Sequence, residues 1–144
     1  MMAFTEADIR TTVADWYRAL DRHDDLPAVL PYLVDDGLEM RFPEGIMRGH
    51  AGFADWYKAV TNRFFDEVHT VSTVDFVELA PDRATIKVLV NWQARIWNPP
   101  AAKSLWLGFD SRQTWELVPG SDGRPQVKIY IVDALEPMPG SAPL

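Results

Sequence analysis

The chain has 144 residues, of which 47% are hydrophobic, and this is enough to build one globular domain around a buried core. Its 21 acidic and 14 basic side chains give a net charge of −7, which would repel a nucleic-acid backbone or an anionic membrane surface. The lack of cysteine excludes disulfides, thiolate metal sites and cysteine nucleophiles.

The N-terminal sequence MMAFTEADIR has neither the basic segment nor the apolar run of a signal peptide. No apolar stretch of the chain is long enough to span a bilayer. We therefore expect a cytoplasmic protein that forms a single domain over residues 1–144, with a core over about 5–137 and a proline-rich tail over 137–144.

The first half of the sequence predicts three helices. Thr5 is a suitable N-cap with Asp8 three residues later, and apolar residues then recur at helical spacing, namely Ile9, Val13, Trp16 and Leu20. A second helix begins near Leu26, and Pro31 should leave it short or kinked. A third helix has an apolar face made of Phe53, Trp56, Tyr57, Val60 and Phe64.

Strands are predicted for most of the remaining sequence. Leu38, Met40 and Phe42 alternate with polar residues and indicate a short strand before the third helix. From Val68 onward, four blocks rich in β-branched and aromatic residues predict long strands over about 68–79, 84–97, 104–118 and 126–135. The turns between them contain proline or glycine, as in antiparallel hairpins.

This order of elements resembles the nuclear transport factor 2-like superfamily, and the sequence is similar to its SnoaL-like branch. The resemblance covers about residues 5 to 137 and rests on VADWYRALDRHD, LVDDGLEMRFPEG, IMRGHAGFADWY, His69 and VDALEP. It implies an α+β fold, a cone-shaped barrel in which three helices pack on a strongly curved, mostly antiparallel sheet of the cystatin-like type.

Members of this superfamily include isomerases, cyclases, dehydratases, epoxide hydrolases and binding proteins, so the fold alone does not fix an activity. The resemblance implies a deep apolar pocket. It favours a cofactor-independent acid/base enzyme of the isomerase, cyclase or dehydratase type, acting on a small hydrophobic molecule that is carbonyl-containing or polycyclic. The alternative is a non-catalytic module for small-molecule binding or dimerisation, which a pocket filled by aromatic side chains would favour.

Strand parity identifies a first candidate for proton transfer. One side of the last strand carries Val127, Ile129, Ile131, Asp133 and Leu135, which predicts a carboxylate among aliphatic side chains on the inner face. A carboxyl group in such surroundings loses hydration and can exchange protons near neutral pH. Asp133 also matches the acid/base aspartate that SnoaL-like cyclases carry on this strand. Its alternative is a solvated position, or a pair with Arg95 or Arg112.

His69 is the second candidate. It lies at the start of the predicted strand over about 68–79, where it matches a histidine of scytalone dehydratase-like members. Its alternative is a hydrogen-bonded structural role. The tyrosine pair of those dehydratases is incomplete, since Leu20 occupies the matching position in the first helix. Arg41 or Phe42 stands where ketosteroid isomerase-like members carry a base, which argues against steroid isomerisation of that type.

Further residues are predicted to complete a site. Tyr17 and Gln113 could donate hydrogen bonds to a developing oxyanion. Ligand contacts are expected from Trp16, Trp56, Tyr57, Trp92, Ser111 and Trp115, although each aromatic residue could equally be simple core.

The outer face of the sheet predicts a partner. Trp97 and Trp106 share the outward parity with Leu89, which places apolar groups on a face that should be polar. We therefore expect a homodimer through this face. The three histidines show no paired ligand spacing, so neither a metal nor a cofactor is expected, and the charge argues against nucleic acid and membrane as partners.

Overall fold

The computed structural model describes residues 4–144, and its first helix, α1, spans Glu6–Asp21. Thr5 caps this helix, because its Oγ1 accepts a hydrogen bond from the Asp8 backbone N–H (3.2 Å) while Asp8 Oδ2 accepts one from the Thr5 N–H (2.9 Å). The apolar face of α1 is buried, including Val13 and Trp16. The predicted first helix is thus confirmed.

Pro31 limits the second helix as expected. The helix α2 comprises Leu26–Val29 and is followed by a 3₁₀ turn, Leu30–Tyr32, because a proline cannot donate a backbone hydrogen bond within a helix. The third helix, α3, spans Gly49–Arg63 and buries Phe53. Over residues 4–144, no helix combines the length and the hydropathy needed to cross a membrane.

Six strands form one sheet. The short strands β1 (Glu39–Phe42) and β2 (Gly45–Arg48) form a hairpin before α3. The four long strands are β3 (Phe65–Ala80), β4 (Arg83–Ile96), β5 (Leu105–Pro119) and β6 (Pro125–Pro137). Their order is β2-β1-β6-β5-β4-β3, and all neighbours are antiparallel except β1 and β6. The sequence predicted β1 and the long strands but not β2.

The inner face of the sheet packs against α1 and α3 to form the core. Val88 and Val90 of β4 and Leu107 and Trp115 of β5 are buried, as the parity of these strands predicted. Leu105 is an exception, since it lies at the end of β5 and is half exposed. Three helices on a mostly antiparallel sheet confirm the predicted fold class.

The prediction that Asp133 faces the core is wrong, and two β-bulges in β6 explain why. Pairing with β5 shifts register at Lys128 and again at Asp133, so each is an extra residue that reverses the parity of the strand. Between these bulges Tyr130 and Val132 face inward, in place of the predicted isoleucines. The Asp133 side chain is exposed, and its Oδ2 accepts a hydrogen bond from Thr114 Oγ1 (2.6 Å).

The C-terminal tail covers part of the outer sheet face. The Ala142 backbone N–H donates to the Trp106 carbonyl (2.9 Å), and the Gly108 N–H donates to Ser141 Oγ (3.0 Å). Gly108 is needed there, because a Cβ atom would lie 2.4 Å from the Trp106 ring and 2.8 Å from Met138 Sδ. Trp106 is therefore only partly exposed, whereas Trp97 is 53% exposed.

Candidate functional site

A pocket opens between the C-terminal end of α1, the helix α3 and the inner face of the sheet. Its empty volume is about 730 Å³ with the open mouth included. Most of its wall is apolar or aromatic, formed by residues that include Leu20, Phe42, Trp56, Tyr57, Val60, Phe64, Val90, Trp92, Tyr130, Val132 and Leu135. Polar groups reach it from Glu44, Thr61, Glu67, His69, Ser111 and Gln113. A concave apolar cavity with a few polar groups is typical of small-molecule sites.

His69 is held in the pocket wall by a single carboxylate. Its Nδ1 lies 2.5 Å from Asp21 Oδ1, and its backbone N–H donates to Asp21 Oδ2 (2.9 Å). Because Nδ1 donates to a carboxylate, Nε2 is the basic nitrogen of the neutral imidazole. No hydrogen-bond partner of Nε2 occurs among residues 4–144, so this nitrogen is available to a ligand.

The two residues meet because α1 packs across β3. Asp21 is the last residue of α1 and lies one turn after Tyr17 on the same helical face. His69 pairs with Trp92 of β4, and an irregularity in the pairing between Phe65 and Val68 precedes it. A bulge of this kind re-aims the side chains that follow it and is common beside active sites.

Tyr17 supports His69 from the core side. The two rings stack with centroids 4.8 Å apart, and the Tyr17 hydroxyl donates to Gln113 Oε1 (2.7 Å). Gln113 Oε1 also accepts from Trp115 Nε1 (3.0 Å), while Gln113 Nε2 donates to Ser111 Oγ (2.9 Å). Burial raises the pKa of the Tyr17 hydroxyl well above its usual range, so it stays a neutral donor.

A second histidine–carboxylate pair lies beside the first. Glu67 precedes His69 by two residues on β3, so both side chains point to the same face. Its Oε1 accepts from Trp92 Nε1 (3.0 Å), and its Oε2 contacts His23 Nε2. The Glu67 side chain is only 9% exposed.

Aromatic residues frame the mouth of the pocket. Phe42 and Trp56 stack with centroids 3.8 Å apart, and Trp56 Nε1 donates to Glu44 Oε2 (3.3 Å). The Tyr57 hydroxyl donates to the Asp24 carbonyl (2.7 Å). Burial, aided by the charges of nearby carboxylates, raises the pKa of Tyr57 to about 12.

The structure brings together part of the predicted site. The predicted residues that line the pocket are His69, Gln113, Trp56, Tyr57, Trp92 and Ser111. Tyr17 does not line the pocket but contacts two residues that do, because its ring stacks on His69 and its hydroxyl proton is donated to Gln113. Trp16 and Trp115 are fully buried in the core, because their contacts with Tyr130 place them behind the pocket wall. Asp133 lies on the opposite face of the sheet.

Three of the residues that hold or line the site were not predicted from the sequence. Asp21 could have been found from its position four residues after Tyr17, and Glu67 from its position two residues before His69. Tyr130 could not, because its inward orientation depends on the bulge at Lys128. Within residues 4–144, no three His, Asp or Glu side chains converge as metal ligands.

Comparison with known proteins identifies the type of domain. Residues 3–124 match the sequence profile of the SnoaL-like domain. None of the curated proteins compared with the chain matches it.

Solved structures with this fold share little sequence with the chain. A candidate scytalone dehydratase from Novosphingobium aromaticivorans superposes with a TM-score of 0.75 at 14% identity, over 92% of this chain and 83% of its own. For the hexachlorocyclohexane dehydrochlorinase LinA-type3 from Novosphingobium barchaimii, the TM-score is 0.74 at 16% identity, over 96% and 92%. A nuclear transport factor 2-like superfamily protein from Salmonella enterica gives 0.68 at 12% identity, over 95% and 91%. Similarity at these identities shows the fold alone.

Proposed function

Because the chain belongs to the SnoaL-like domain family, we propose that it is an acid/base enzyme that removes a proton from a carbon atom of a small hydrophobic molecule. The observation that carries this proposal is the Asp21–His69 pair in the pocket wall, with Nε2 of the imidazole available to a ligand. Imidazole alone can perform this chemistry, so the reaction requires no cofactor.

The reaction begins with neutral His69. Its Nε2 takes a proton from the substrate carbon, and the charge that develops on the imidazole is stabilised by Asp21 across the Nδ1–H. In an elimination, the electron pair of the broken C–H bond forms a C=C bond as a leaving group departs from the adjacent carbon. In an isomerisation, His69 returns the proton to a different carbon. Either way the imidazole ends neutral, after passing its proton to the leaving group, the product or water.

The apolar walls assist this step by limiting water. Trp92 and Tyr17 both stack on the His69 ring, with centroids 6.4 Å and 4.8 Å away. Electrostatic interactions between groups are stronger in such surroundings than in water. A flat, largely apolar substrate would fill the space between the aromatic residues and place its acidic C–H group near Nε2.

Elimination is the reaction type that we favour. Two of the proteins with this fold are named for eliminations, a dehydratase and a dehydrochlorinase. Both reactions remove a proton and a leaving group from neighbouring carbons, which is the chemistry expected of a single base in an apolar cavity.

The proposal can be tested with 5-nitrobenzisoxazole, a flat neutral probe. A base removes the hydrogen on C3, the N–O bond breaks, and a coloured cyanonitrophenolate forms, so no other reactant is needed. We expect saturable turnover above the buffer rate. His69→Ala should lower kcat by about 10²-fold or more, because the general base is lost.

His50→Ala is the matched control, since His50 lies outside the pocket with its Nε2 3.0 Å from the Leu33 carbonyl. It should leave kcat unchanged. Equal rates for the wild type and His69→Ala would overturn the proposal. Saturable binding of the probe without turnover would instead identify a non-catalytic binding module.

A further inference from the structure

The second pair, His23 and Glu67, is arranged in the opposite sense to the first. In the Asp21–His69 pair the imidazole lines the pocket and the carboxylate lies behind it. In the other pair Glu67 lines the pocket, while His23 contacts it from outside the lining. On this face of β3 the pocket therefore presents a basic nitrogen, from His69, and a carboxylate, from Glu67, two residues apart.

Glu67 retains the capacity to bind a donor. Each carboxylate oxygen can accept about two hydrogen bonds. Oε1 accepts from Trp92 Nε1, and Oε2 contacts His23 Nε2, so each oxygen has one partner among the described residues. Since the Glu67 side chain is 91% buried and lines the pocket, a ligand that fills the pocket would keep solvent water away from these oxygens. A ligand donor must then replace that water.

The backbone of His23 adopts an unfavourable conformation where its side chain contacts Glu67. His23 follows the end of α1 with φ of 52°, in the left-handed region that glycine occupies most easily. Asp66, which precedes Glu67, has φ of 51°. Unfavourable backbone conformations on both sides of one contact are typical of sites where side-chain placement matters.

The charges around the pocket disfavour an anion. Among the described residues that line it, none is Lys or Arg, while Glu44 and Glu67 both contribute carboxylates. The charges of Asp24, Glu67 and Asp25 also reach the Tyr57 hydroxyl at the wall. A bound carboxylate or phosphate would thus meet negative charge without a compensating Lys or Arg.

We infer that the pocket binds an apolar molecule that carries a hydroxyl or amine group, that Glu67 accepts a hydrogen bond from this group, and that carboxylates and phosphates are excluded. The inference rests on the proposed function for the identity of the site. The apolar part of the ligand packs against Trp56, Tyr57 and Trp92. Glu67 then orients the ligand so that a carbon near its polar group faces His69.

A matched ligand series tests this assignment. Dissociation constants are measured by calorimetry at pH 7 for 4-tert-butylbenzyl alcohol, 4-tert-butylbenzylamine and 4-tert-butylbenzoate, which share one apolar group. The alcohol and the amine should bind the wild type at least about tenfold more tightly than the carboxylate. The first two can donate a hydrogen bond to the charged Glu67, whereas the carboxylate is repelled by it. A carboxylate that binds as tightly as the amine would overturn the inference without any variant.

Substitution of Glu67 tests whether this residue is the cause. In Glu67→Gln the ratio of the carboxylate and amine dissociation constants should fall by about tenfold. Glu44→Gln is the control for the general negative charge of the pocket and should lower the ratio by no more than about twofold, because the exposed Glu44 carboxylate is screened by solvent. An equal effect of both substitutions, or none from Glu67→Gln, would contradict the role of Glu67. If Glu67→Gln does not fold, Glu67→Asp serves instead, since a carboxylate withdrawn by one methylene should also lower the ratio.

The failure of this inference is distinct from a failure of the proposed function. His69→Ala should keep the wild-type order of the three ligands, because it changes the base and not the carboxylate. A protein that orders the ligands as expected but does not open 5-nitrobenzisoxazole retains the binding assignment and loses the catalytic one. A protein that turns over 5-nitrobenzisoxazole but does not bind the three ligands in the expected order retains His69 as the base and loses the assignment to Glu67.

Discussion

Two residues of α1 fix the position of the proposed base. Asp21 uses both carboxylate oxygens on His69, one for the ring nitrogen and one for the backbone N–H. Tyr17, one helical turn earlier, stacks on the same ring. The helix thus controls both the rotation of the imidazole and the tilt of its plane. This arrangement gives His69 a defined tautomer before any substrate binds.

The sequence predicted some residues of the site but not the contact between Asp21 and His69. His69 and Gln113 were identified, one from the resemblance and one from the parity of β5. Its place one turn after Tyr17 gives the helical face of Asp21, but Asp21 was missed because its contact with His69 also depends on where α1 crosses β3. Tyr17 was assigned as a ligand donor, but its proton is donated to Gln113 inside the core.

The tyrosines predict a loss of stability at high pH. Burial raises the pKa values of Tyr17, Tyr57 and Tyr130, the second to about 12, and also that of Tyr32. The folded state therefore holds these protons more tightly than the unfolded chain, in which the tyrosine pKa is about 10. Their contribution is fully present below about pH 10 and is lost as the pH rises through the folded values.

Tyrosinate absorbance and denaturant unfolding, followed together from pH 8 to 12, check this prediction. Little tyrosinate should form near pH 10 while the protein is folded, and the free energy of unfolding should decrease above that pH. Reversible ionisation of all four tyrosines near pH 10 without loss of stability would contradict it.

In β6, a regular in-and-out alternation of side chains predicts the wrong residues for the inner face. Its residues Ile129 to Val132 are apolar at every position, so both parities are compatible with burial. The bulge at Lys128 selects Tyr130 and Val132 for the inner face, and the bulge at Asp133 restores the original parity at Leu135. The elements themselves were predictable from periodicity, but these bulges depend on pairing with β5.

The reversed parity predicts a large effect on stability for a substitution at Tyr130 and a small one for a substitution at Asp133. Tyr130→Ala should lower the free energy of unfolding by about 3 kcal/mol or more, because it empties a site that is 4% exposed. Asp133→Asn should change it by no more than about 0.5 kcal/mol, as for other exposed positions. Urea unfolding measures both. A strongly stabilised or destabilised Asp133→Asn protein would show that its side chain is not on the outer face.

For the quaternary structure, a homodimer through the outer sheet face stays a prediction. The C-terminal tail covers part of Trp106. The apolar side chains that stay exposed on this face are Phe65, Val68 and Trp97, at 40%, 56% and 53%. Their proximity follows from strand pairing, since Phe65 pairs with Arg95 and Val68 with Gln93. Exposed apolar side chains close together on one face of a sheet favour self-association.

The double variant Val68→Asp/Trp97→Glu should therefore shift the protein towards a monomer, because it places two negative charges in the interface. Sedimentation velocity at micromolar concentration measures this shift. Val77→Asp is the control, as Val77 is 60% exposed at the far end of β3 and should not affect association. A monomeric wild type would exclude the dimer.

We propose that Asp21 and His69 act as one catalytic unit, and a double-mutant cycle in the 5-nitrobenzisoxazole assay measures the coupling between them. Asp21→Asn keeps the shape of the side chain but loses its charge and should lower kcat by about 10²-fold, with KM nearly unchanged. The combined variant Asp21→Asn/His69→Ala should turn over at the rate of His69→Ala, within about twofold, because Asp21 acts only through the imidazole. Effects that multiply in the double variant, or an Asp21→Asn protein with the wild-type rate, would show that Asp21 does not act through His69.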